Sequence, residues 1–120
     1  MSVKAAPQTE CDAMIERLLA LEDIGARQHL IEQQPSLDWN QVVSTLSDRV
    51  REEVRVDTAR AQLLADIAIT VAEKIGSNVA LAKSLRAKGN ALYSLDQHSA
   101  AIEMQERAAA LFETVGEEQE

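Results

Sequence analysis

Lys83, Arg86, Asn90 and Tyr93 follow one another at intervals of three and four residues, the spacing that brings side chains to one side of an α-helix. A guanidinium and an amide one turn apart both donate hydrogen bonds in directed geometry, so Arg86 with Asn90 suits a carboxylate. Lys83 adds a cation and Tyr93 an aromatic ring. The chemistry open to such a set is binding. Two readings fit it: an ordinary polar helix face with Asn90 bonded locally, or a groove for a peptide.

Catalytic patterns are not found. His29 and His98 each lack a second His or Cys at ligand spacing and read as surface histidines. Ser44, Ser47 and Asp48 have no histidine near them to act as base. The carboxylates are scattered along helix faces rather than paired for acid and base work. There is no Gly-rich phosphate loop, His-Glu-x-x-His or Cys-x-x-Cys. Cys11, the single cysteine, reads as a small apolar residue near a helix start. No catalytic residue, metal ligand or cofactor is expected, and the chain is not read as an enzyme.

The elements that must carry these side chains are helices. The 120 residues amount to one domain or part of one, with 46% hydrophobic residues, 19 Ala and only three aromatics, Trp39, Tyr93 and Phe112. Such a core is built from closely approaching helices, and four Gly and two Pro leave little turn chemistry for a sheet. Acidic residues outnumber basic ones 20 to 12, a net charge of −8. That disfavours nucleic acid, whose phosphates need clustered cations, and an anionic membrane surface. It fits a mildly basic protein or peptide partner, or serves solubility alone. No secretory signal or membrane-spanning run is evident, and a reducing cytoplasmic location is the default.

Six helices are expected. Met1 to Gln8 read as a flexible lead-in, and residues 9–37 as a helical cap. Within the cap a first helix starts at Thr9 and runs to about Glu22, and a second follows Asp23 and stops before Pro35. Asp38 with Gln41 three residues on, bracketed by Leu37 and Val42, marks the third start. The charges Asp48, Arg49, Arg51, Glu52, Glu53 and Arg55 read as its solvated face. The fourth runs from near Asp57 to Ile75 with Gly76 as terminator. It is apolar nearly all round except for Gln62, Asp66 and Thr70, so it must be covered on more than one side. The fifth spans about Asn78 to Leu95, and the sixth about Gln97 to Val115, ending at Gly116. Residues 117–120 form an acidic tail or the first turn of a further repeat.

Two of these hairpins, 38–76 and 77–116, align with each other. An offset of 40 matches Ala61 with Ala101, Leu64 with Met104, Ala68 with Ala108 and Ile75-Gly76 with Val115-Gly116. An offset of 39 matches Leu46 with Leu85, so the two hairpin loops differ by about one residue. Gly89, in mid-helix where it costs about 1 kcal/mol against Ala, is expected to let the helices approach at Ala101.

The second hairpin resembles a tetratricopeptide repeat, its signature slots met by Leu85, Gly89, Leu92 with Tyr93, Ala101 and Ala108. It departs at Lys88, where Leu is usual, at Gln105, where an aromatic is usual, and at Glu113, where Pro is common. The first hairpin is degenerate, and the period exceeds the usual 34 residues. The leading segment resembles the helical cap of bacterial repeat proteins coupled to a caspase-like CHAT peptidase. The resemblance implies an all-α fold of antiparallel hairpins stacked as a short right-handed α-solenoid. It implies a non-catalytic module for protein–protein contact, within a larger array or multidomain regulator. It places Lys83, Arg86, Asn90 and Tyr93 on the concave face, where Arg86 and Asn90 resemble half of the clamp by which some repeats of this family hold a carboxylate. A peptide-sensing regulatory domain and a self-associating structural protein are the alternatives. For the latter, Ile102, Ala109 and Phe112 lie beyond the inner face of the last helix, an end face for a further repeat or a homodimer.

Overall fold

The computed structural model describes residues 7–119. They form six helices: α1 (Pro7–Ala20), α2 (Ile24–Glu32), α3 (Trp39–Glu53), α4 (Thr58–Ile75), α5 (Asn78–Ser94) and α6 (His98–Gln119). No strand occurs among the described residues, and the fold is all-α.

Short polar side chains set four of the starts. Asp23, Asp38, Asp57 and Ser77 accept from the backbone N–H of Ala26, Gln41, Arg60 and Ala80 at 2.9–3.1 Å, each worth about 1 kcal/mol. Two ends turn through a left-handed residue, Gly76 at φ 70° and Asp96 at φ 62°. After α4, Gly76 and Ser77 donate back to Glu73 and Ala72; after α5, Asp96 and Gln97 donate in the same way to Tyr93 and Leu92. This satisfies carbonyls the helix leaves open.

Two terminal expectations fail for local reasons. α1 begins at Pro7, whose fixed φ and missing N–H suit a first turn, so Thr9 lies inside the helix and is not its cap. The expected lead-in otherwise covers residues 1–6, outside the described residues. At the other end α6 runs through Gly116 to Gln119. Gly76 is followed by Ser77, which caps the next helix; Gly116 is followed by the helix formers Glu117, Glu118 and Gln119, and its φ is not positive. The shared Ile/Val-Gly ending therefore terminates only α4. Glu120 is outside the described residues.

The expected cover of α4 is observed. It packs between α3 and α5 and also meets α2 and α1, while α5 pairs with α6 and touches α3. Leu64, Ala65, Ile67, Ala68 and Val71 of α4 are accordingly buried with Leu46 and Val50 of α3, Ile15 and Leu18 of α1, and Trp39.

Charged side chains tie the elements together. Arg49, read as part of a solvated face, instead reaches α1, with Asp12 at 2.7 Å and Glu16 at 3.6 Å. Lys88, the departure from a usual Leu, pairs with Asp66 of the α4 polar stripe at 2.6 Å, and Lys74 pairs with Glu32. Arg27, which the sequence does not single out, is buried. Its guanidinium donates to the carbonyls of Leu18, at 3.0 Å, and Leu21. A cation on the open carbonyls closing a helix also meets the negative end of the helix dipole.

Candidate functional site

A groove runs between α3 and α5 and opens at one end toward the start of α6. It has two adjoining recesses that share Arg51 and Asn90. The smaller, about 310 Å³, is lined by Ser44, Ser47, Asp48 and Arg51 of α3 and by Lys83, Arg86, Ala87 and Asn90 of α5. The larger, about 690 Å³, adds Val54 and Arg55 just after the end of α3, Tyr93 and Ser94 of α5, and Ala101, Ile102 and Gln105 of α6. All four residues singled out on α5 line this one groove: Lys83 and Arg86 in the smaller recess, Tyr93 in the larger, Asn90 in both.

Its α3 wall was missed by reading Asp48, Arg51 and Arg55 as a solvated face. The signal that finds it is the internal register. The offset that relates Trp39 to Asn78 at the helix starts carries Ser44 to Lys83, Ser47 to Arg86, Asp48 to Ala87, Arg51 to Asn90, Val54 to Tyr93 and Arg55 to Ser94. Every groove residue on α3 or just beyond its end thus has a counterpart on α5 lining the same groove.

The groove is cationic in an acidic chain. Arg51, Arg55, Lys83 and Arg86 line it, and Asp48 is its single carboxylate, engaged by Arg51. Among the described residues Arg49, Arg60, Lys74 and Lys88 are each within ion-pair distance of a carboxylate; Arg55, Lys83 and Arg86 of the groove have no such partner, and neither do Arg17, Arg27 and Arg107 outside it. The Arg86 guanidinium lies 5.3 Å from the centre of the Phe112 ring, a cation–π contact that restrains it. Tyr93 is 64% exposed, with its ring stacked on His98 at 4.6 Å. Ser47 Oγ is buried without a hydrogen-bond partner, a state that costs about 1–3 kcal/mol.

Ile102, Ala109 and Phe112 have different surroundings on α6. Ile102 is exposed but lines the larger recess beside Asn90 and Tyr93. Phe112 is half-buried beneath Arg86, and only Ala109 lies exposed away from the groove. Gly89 also has a role other than the one expected. A Cβ built there meets the Gln105 side chain first, with Nε2 at 2.7 Å, rather than Ala101.

The remaining candidates for chemistry stand apart. Burial pushes the Cys11 thiol above its ordinary pKa, helped by Asp38 and Asp12, the opposite of what a nucleophile needs. His29 sits beside Glu32 and Gln33, and His98 beside Asp96. Among the described residues no group of His, Cys, Asp and Glu gathers to hold a metal ion, and no helix is long and apolar enough to cross a membrane. Comparison with protein-family models, with curated proteins and with solved structures returns no match from any of the three.

Proposed function

We propose that the chain is a non-catalytic protein–protein interaction module of tetratricopeptide-like hairpins, stacked as a short right-handed α-solenoid, that takes a peptide segment of its partner in the α3–α5 groove. The observation that carries this reading is that equivalent residues of two hairpins line one groove, and that three of its four cations, Arg55, Lys83 and Arg86, have no carboxylate partner among the described residues. Unpaired cations in a concave site are placed to meet charge on a ligand. The reading is tested by selecting binders from a peptide library and titrating the best against Arg86→Glu with Asn90→Ala. The pair is expected to weaken binding by more than about tenfold with the helical circular-dichroism spectrum kept. Unchanged affinity rejects the groove.

Self-association through α6 is the second reading, favoured by the exposed Ile102 and Ala109. Ala109→Glu then dissociates dimers in sedimentation and leaves groove binding intact. Loss of peptide binding from Ala109→Glu alone moves the binding face to α6.

A further inference from the structure

A second groove is lined by α1, α2 and the chain that follows each of them, with no residue of α3–α6 in it. Its two recesses, about 450 and 230 Å³, share Arg17. Met14 and Leu30 line it and are buried, Leu21 and Leu37 are half-buried, and Ala13 and Ala20 lie exposed. On α1 the lining residues Glu10, Met14, Arg17 and Leu21 are spaced by four, three and four, the pattern of a seam between packed helices. Ala13 and Ala20 beside them let another helix come close.

The strip is self-complementary in charge. Glu10 and Arg17 stand seven residues apart, each about 5 Å from a midpoint between Ala13 and Met14. An antiparallel copy of α1 turned about that midpoint sets Glu10 of each copy against Arg17 of the other, and Ala13 against Met14. An isologous contact makes every such pairing twice. The last helix has the same spacing with the opposite outcome. On α6 the exposed Glu106 and Glu113 lie seven residues apart about Ala109 and Ala110, so the same operation sets carboxylate against carboxylate, which disfavours association there.

We infer that the α1–α2 groove is a homodimer interface in which α1 packs antiparallel on α1 of a second copy, with Glu10 and Arg17 pairing reciprocally. This goes beyond the peptide groove between α3 and α5 and moves self-contact from α6 to α1. Because α1 has 14 residues, about 21 Å of helix, the contact is short and belongs with the weak interfaces below about 1,200 Å².

The test is sedimentation equilibrium at low salt, at concentrations up to about 1 mM, where weak interfaces associate, with circular dichroism to read the fold of each variant. Wild type is expected to dimerise, and added salt to weaken the dimer. Glu10→Arg and Arg17→Glu each turn two attractive pairs into two repulsive ones. Each is expected to weaken the dimer at least about tenfold, with the helical spectrum kept because both side chains are exposed. Mixed in equal amounts, the two variants are expected to associate about as tightly as wild type, since each supplies the charge the other lacks. Ala13→Arg should abolish the dimer, and Ala109→Glu should leave it intact. Should Ala13→Arg fail to fold, the two charge reversals and their mixture carry the test. A wild type that stays monomeric overturns the interface. So does a dimer indifferent to the charge reversals, one that survives Ala13→Arg, or one lost in Ala109→Glu. A mixture that fails to associate where wild type does overturns the antiparallel register.

Discussion

Where α4 carries Ile67, fully buried, the corresponding position of α6 carries Arg107, exposed. Where α4 has Leu64 at zero exposure, α6 has a half-buried Met104, and buried Ala72 corresponds to Phe112, half-covered by Arg86. The two helices share a register but not a number of neighbours: α4 lies between α3 and α5, whereas α6 packs chiefly on α5. The lesson concerns what a repeat specifies. Small residues that must be covered in either hairpin, Ala61 with Ala101 and Ala68 with Ala108, are retained in both. Side chains that face a neighbour in one hairpin and solvent in the other diverge.

The sharpest way to break this comparison is to truncate the matched pair. Leu64→Ala leaves a cavity in a core closed on two sides and should cost about 2–5 kcal/mol. Met104→Ala, with part of the residue already in water, should cost less, roughly 1 kcal/mol. Urea denaturation of both variants reads the difference. Equal losses would mean that α6 is covered as fully as α4, and that the contrast drawn from burial is wrong.

The turns offer a smaller contrast of opposite sign. Gly76 and Asp96 both adopt the left-handed conformation, but only glycine does so without a Cβ penalty of about 1–2 kcal/mol. Asp96 takes no part in the groove. Asp96→Gly should therefore raise stability, by about 1 kcal/mol or less once the greater freedom of glycine in the unfolded chain is subtracted. Gly76→Ala should lower it by about 1 kcal/mol, with no steric contribution, since nothing lies within 4 Å of a Cβ there. Parallel thermal melts decide. A destabilised Asp96→Gly would show that the Asp96 side chain, near His98 at 3.7 Å, contributes more than its backbone costs.

Much of the architecture was legible because it rests on local chemistry. The Asp38 cap, the Gly76 terminator and the polar stripe on α4 are signals read within a few residues, and each is where the residues implied. The difference of one residue between the two hairpin loops is likewise present, as residues 54–57 against 95–97. What escaped depends on which helix faces which. Arg49 and Arg51 lie two apart on α3, yet one pairs with α1 and the other lines the groove; periodicity marks both as polar and cannot tell these destinations apart. Arg27 escaped because a buried cation satisfied by carbonyls leaves no partner residue to notice. Gly89 was legible as a packing glycine, but its neighbour was taken from the small-residue ladder when it is the long, flexible Gln105. The α3 wall was available in principle, by carrying Lys83, Arg86, Asn90 and Tyr93 back through the repeat.

The smallest effect distinguishes how the hairpins are anchored. The first is tied to the cap by Lys74 of α4 and Glu32 of α2; the corresponding position of α6 is Thr114, whose hydroxyl only returns to the Ala110 carbonyl at 3.1 Å. The hydrogen bond from Lys74, and then its charge, hold the Glu32 carboxyl below the ordinary carboxylate range. A carboxyl depressed in the folded state contributes stability above its unfolded pKa and loses it as pH falls through the folded value. Because Glu32 is exposed, the contribution is small and screened by salt. The stability difference between wild type and Lys74→Met should therefore be steady at neutral pH, shrink as pH drops below about 4.3, and vanish once Glu32 is protonated in both states. Thr114→Val, its counterpart in the second hairpin, should show no such pH dependence. A Lys74→Met difference that survives into strong acid would mean that the lysine acts through its aliphatic stem packing on α2, and that the anchor is not electrostatic.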